Sequence, residues 1–80
     1  MKIPEASIFA RETFETLLAG FNGSRQAHVL CNYGWAWDRV IAQYDLDPKD
    51  PGLADYQWYA EASEILSDLI NEHCNKGETL

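Results

Sequence analysis

The sequence predicts an all-α protein, a small compact bundle of three to four helices forming one domain over residues 1–80. Three observations predict it. Apolar residues recur three and four positions apart along three stretches, the spacing that places them on one helix face. Between those stretches, at Asn22-Gly23 and from Asp45 to Gly52, cluster the Gly, Pro, Asn and Asp residues that favour turns. The composition, 46% apolar with three Trp, four Tyr and three Phe, can fill a dense core, which so short a chain needs if it is to fold without disulfides or metal.

The first helix is predicted to start at Pro4, a favoured first helical residue, or at Ser7 as cap, and to stop at Gly20. Its buried stripe is Ala10, Phe14, Leu17, Leu18 and Phe21; Ile8 and Phe9 fall off that stripe, either tucked under the start of the chain or exposed. After the Asn22-Gly23 turn, Ser24 is a good cap for a second helix. Val29, Leu30, Tyr33, Trp37, Val40, Ile41 and Tyr44 keep helical spacing, so one helix is expected from Ser24 to Tyr44, kinked at Gly34. Alternatively, Asn32-Tyr33-Gly34 divides it into two shorter helices, because an interior glycine costs ~1 kcal/mol relative to alanine.

A proline-bounded loop runs from Asp45 to Gly52, and Asp50-Pro51 reads as the cap and first residue of a last helix. That helix is expected to end at about Cys74, where Asn75-Lys76-Gly77 supplies a stop. Trp58, Ala62, Ile65, Leu66, Leu69, Ile70 and His73 form its buried stripe, and the tail from Glu78 should be loose.

Charge is distributed unevenly. Up to Tyr44 the acids Glu5, Glu12, Glu15 and Asp38 are matched by Lys2, Arg11, Arg25 and Arg39. From Asp45 onward nine acids face Lys49 and Lys76, so the whole net charge of −7 lies there. Direct binding to nucleic acid is disfavoured, since counterion release needs Lys and Arg beside phosphates, and a helix-turn-helix regulator would need a basic recognition helix. At ~100° per residue, Glu61, Glu64, Asp68 and Glu72 fall on one strip about a quarter turn from the apolar stripe. No Lys or Arg within a helix ending at Cys74 neutralises them, an arrangement with a small folding cost and no evident folding benefit. Such a strip is either a solvated face or a binding surface for a basic partner.

Other chemistry finds little support. His28 and Cys31 are three apart, whereas His73 and Cys74 are adjacent and diverge by ~100° on a helix, which suits a shared metal poorly; no metal or other cofactor is expected. A calcium loop begun at Asp45 would have Asp50 where Gly is required and Tyr56 where a bidentate Glu belongs. Without a phosphate loop, a nucleophile elbow or a coherent His, Cys and Asp arrangement, the chain does not read as an enzyme. Cys31 and Cys74 are expected as buried or half-buried thiols, in preference to a disulfide, in a cytoplasmic protein, because no run is apolar enough to span a membrane and Met1 to Glu5 lacks a signal-peptide core. Off the main stripes, Trp35, Tyr56 and Tyr59 are either covered by a further helix or serve as interface anchors.

In this general character, acidic, helical, aromatic-rich and short, the chain resembles the anti-CRISPR proteins of phages and mobile elements, and also the immunity proteins of bacteriocin nucleases. The resemblance matches no family motif and carries over no residue roles. It implies an inhibitor whose partner is a basic protein or a ribonucleoprotein complex such as a CRISPR effector, denied its target DNA by an acidic surface. The charge pattern supplies the candidate contacts: Asp45, Asp47, Asp50, Asp55, Glu61, Glu64, Asp68 and Glu72, with Trp35 and Tyr59 as aromatic anchors. A monomer is expected; the competing reading is a structural or assembly protein that forms a helical homodimer through its aromatic residues.

Overall fold

In the computed structural model, which describes residues 3–46 and 56–76 (backbone alone for Tyr56 and Lys76), four helices follow one another and the described residues contain no strand. They are α1 (Ala6–Gly20), α2 (Ala27–Leu30), α3 (Gly34–Gln43) and α4 (Tyr56–Lys76), an all-α bundle. The start expected for the last helix at Asp50-Pro51 lies outside the described residues.

Helix α1 is the centre of the packing, with α4 along one side and α3 against it, while the short α2 leans on α4. Two long-range hydrogen bonds fix the direction of α4. Trp58 Nε1 near its start donates to the Pro4 carbonyl at 2.8 Å. Near its end, His73 Nε2 lies 3.0 Å from the Ser24 carbonyl and 3.4 Å from that of Gly23. Both partners only accept, so this nitrogen carries the proton. Because Pro4 precedes α1 and Ser24 follows it, the two helices run in the same direction. Helix α3 returns the opposite way: Trp35 at its start meets Phe21 with ring centroids 5.6 Å apart, and Tyr44 just past its end reaches Glu12.

The core differs from the expected one chiefly in α1. Ala6, Phe9, Ala10, Thr13 and Leu17 form the buried stripe, whereas Phe14, Leu18 and Phe21 pack around its edge. Phe9 has no exposed surface and sits edge-on to Trp37 at 4.6 Å and tilted against Trp58 at 5.1 Å, while its neighbour Ile8 is exposed. Thr13 made this stripe hard to see because it is polar, yet its Oγ1 donates to the Phe9 carbonyl at 2.8 Å and is satisfied inside the core. Ala36, Trp37, Val40 and Ile41 come from α3, Leu30 from α2, and Ala62, Leu66 and Ile70 from α4.

The continuous second helix is corrected: the chain breaks between Leu30 and Gly34, as the alternative had it. Asn32 helps close the break, its Nδ2 donating to the His28 carbonyl at 3.1 Å and so competing with helical continuation. Ser24 does not cap α2. It sits two residues before the Gln26 N-cap, and its Oγ accepts from the Gln26 amide at 3.2 Å in a short turn.

Two helices end by the same device. After α1, Asn22 takes a left-handed φ of 55° and the Gly23 amide donates to the Leu18 carbonyl at 2.8 Å. After α3, Asp45 takes φ 55° and the Leu46 amide donates to the Ile41 carbonyl at 3.1 Å. Both are Schellman closures, in which one left-handed residue turns the chain back to satisfy the last carbonyls.

Candidate binding surface

Helix α4 buries Ala62, Leu66 and Ile70 and half-buries Trp58, Ile65, Leu69 and His73, the stripe read from sequence. Glu61, Glu64, Asp68 and Glu72 are all exposed on its outer side. At 1.5 Å per residue the four carboxylates span roughly 16 Å of helix, with steps of about 4.5 to 6 Å. The helix continues to Lys76, two residues past the expected stop, which places that residue four positions after Glu72.

The other candidate residues do not join this strip. Asp45 is exposed, but it is the left-handed residue that closes α3, so its position answers to the backbone turn. Asp47, Asp50 and Asp55 lie outside the described residues. Tyr59, 53% exposed, rests on Trp37 with ring centroids 5.2 Å apart. Nine residues separate it from Asp68, or about half a turn around the helix, so it projects on the side away from the strip.

Trp35 is 38% exposed and lies over the end of α1. A Cβ built on Gly20 would fall within the envelope of its ring, so the glycine makes room for the indole. Cover by another helix and partial exposure therefore both hold for Trp35. Tyr56 belongs to α4, but its side chain lies outside the described set.

Glu61 borders a second feature, which the sequence did not suggest. An open groove of about 380 Å³ between the start of α1 and the first turns of α4 is lined by Glu5, Ala6, Ser7, Trp58, Glu61 and Ile65. It arises because α1 and α4 start side by side, information that periodicity within either helix does not contain.

No metal-holding group of three His, Cys, Asp or Glu occurs among the described residues. Cys31 and Cys74 are free thiols; Cys74 is half-buried, but Cys31 is corrected to exposed, on the rim where α2 ends, and its Sγ donates to the His28 carbonyl at 3.1 Å. Among the described residues no helix is long and apolar enough to cross a membrane. No family model matches the chain, and neither a curated protein nor a solved structure matches it.

Proposed function

We propose that this protein is a non-enzymatic inhibitor that binds a basic nucleic-acid-handling protein or ribonucleoprotein complex through the outer strip of α4, in the way an anti-CRISPR protein denies an effector its target DNA. The observation that carries this reading is the exposure of Glu61, Glu64, Asp68 and Glu72 together on one side of a single rigid helix. Helical geometry sets successive carboxylates about 4.5 to 6 Å apart along the axis, the same order as the spacing of phosphates along a nucleic-acid strand. Lysines and arginines arranged to hold a strand would meet a matching row of negative charge. The excess charge of the second half of the chain would steer the encounter, making association fast and salt-sensitive.

The reading is tested by fluorescence anisotropy of labelled target DNA with purified CRISPR effector complexes. The wild-type chain should lower DNA binding by at least one of them. Reversal of Glu64, Asp68 and Glu72 to Lys should abolish that effect while the helical circular dichroism persists. A folded triple variant that still inhibits would overturn the charge mechanism, and a wild-type chain inert toward every effector would overturn this choice of target.

A further inference from the structure

We propose that the groove between the starts of α1 and α4 is an arginine-binding site, taking a guanidinium side chain from the basic partner. The inference rests on the function proposed above and deepens it by naming the side chain recognised. Ala6, Trp58 and Ile65 supply apolar lining, Ser7 adds a hydroxyl, and the exposed Glu5 and Glu61 bring a carboxylate from each helix. The Trp58 Nε1–H is already committed to the Pro4 carbonyl, so the indole offers the groove ring surface and no free donor. Glu5 occupies the N-cap position of α1 but makes no side-chain cap bond, which leaves its carboxylate uncommitted to the helix. At about 380 Å³ the groove is at the small end of ligand clefts, room for one long side chain with some water.

These features constrain the occupant. A purely apolar group would strip water from the two carboxylates without pairing them. An anion would be repelled, because the half-positive charge at the α1 N-terminus offsets only part of two negative ones. What fits is a cation on an apolar stem. Lysine meets that description but is a strongly hydrated point charge, whereas a planar guanidinium has five donors to share between two carboxylates and stacks on an indole. Arginine is also the residue that proteins use most for bidentate contacts to phosphate, so the groove suits the side chains a DNA-binding surface presents.

The test compares hexa-arginine and hexa-lysine peptides as probes of the intact chain, followed by ¹H–¹⁵N NMR at matched ionic strength. Hexa-arginine should shift the Trp58 indole N–H and the amides of Ala6, Ser7 and Glu61 ahead of those around Glu72, and bind severalfold more tightly than hexa-lysine. The double variant Glu5→Gln/Glu61→Gln should weaken hexa-arginine about fivefold, as expected for two partly exposed pairs, and erase the preference over lysine. The control Glu64→Gln/Glu72→Gln should weaken both peptides alike. Equal affinity for the two peptides, shifts confined to the Glu64 to Glu72 strip, or an unaffected Glu5→Gln/Glu61→Gln variant would each overturn the site. So would concentration-dependent shifts of the Trp58 indole without peptide, which would make the occupant a second copy of the chain. Because the inhibition assay reverses Glu64, Asp68 and Glu72 and leaves both groove carboxylates in place, the groove and the strip can fail independently.

Discussion

Thr13 and Phe9 illustrate how single residues decided the core. An apolar count along α1 favours Ala10, Phe14, Leu17, Leu18 and Phe21, because the competing stripe through Ala6, Phe9, Ala10 and Leu17 is interrupted by a hydroxyl. In the fold that hydroxyl bonds the Phe9 carbonyl one turn back, so its burial carries no unpaired polar group. Phe9 is thereby free to enter the cluster with Trp37 and Trp58, meeting the first edge-on and the second at a tilt, and an aromatic pair of this kind adds about 0.5–1.5 kcal/mol beyond area burial. Tyr44 shows a residue-scale electrostatic effect. Its hydroxyl is held above the usual value of 10.0, first by donating a hydrogen bond to the Glu12 carboxylate, then by partial burial and the carboxylate's charge. A raised value means that this contact contributes fully below about pH 10 and is lost as pH rises through the folded-state value. Replacing Glu12 by Ala should bring the Tyr44 midpoint back toward 10, read from its ring carbon shift by NMR; an unmoved midpoint would refute the assigned cause.

At the scale of elements, boundaries are set by backbone closures more than by composition. Gly20 marks the end of α1 but does not bend the chain; it makes room for Trp35, and the left-handed turn is made at Asn22 and Gly23. Asp45 does the same for α3, turning Leu46 back over Ile41 and toward the core. For an L-residue the left-handed region costs roughly 1–2 kcal/mol, eased for Asn and Asp by local hydrogen bonding. Asp45→Val should therefore destabilise the fold by about 1–2 kcal/mol, a β-branched residue being among the worst for that conformation. Asp45→Gly should be neutral or mildly stabilising, the backbone relief offset by glycine's extra unfolded-state entropy. Urea melts compare the two; similar losses for both would mean that the Asp45 side chain, and not its backbone angle, matters. The break before α3 has the same local character, with Asn32 bonding the His28 carbonyl beside the helix-weakening Gly34.

Across the whole molecule, the acidic excess and the aromatic surface separate. Tyr59 stands on the side of α4 away from Asp68, and Trp35 lies over the end of α1, so neither rim aromatic sits within the acidic strip. This arrangement divides the inhibitor reading from the assembly reading by surface. With a net charge of −7 opposing self-association, light scattering in moderate salt should give a monomer. A stable dimer that dissociates on Tyr59→Ser, with the acidic strip intact, would favour assembly through the aromatic side.

Sequence by itself determined the all-α class, the buried stripe of α4, the turn at Asn22-Gly23 and the strip of Glu61, Glu64, Asp68 and Glu72, because each depends on spacing within one helix or one turn. At Gly34 it favoured one continuous helix and the fold broke it, since the local cost of a glycine there is comparable to the packing that could override it. Tertiary structure alone decided which stripe of α1 is buried and that Glu5 and Glu61 share a groove. Those facts depend on residues far apart in the chain, Phe9 with Trp37 and Trp58, Pro4 with Trp58, and on the parallel setting of α1 and α4 that Trp58 and His73 fix at either end. A periodicity records which side of a helix is apolar; only packing records what that side meets.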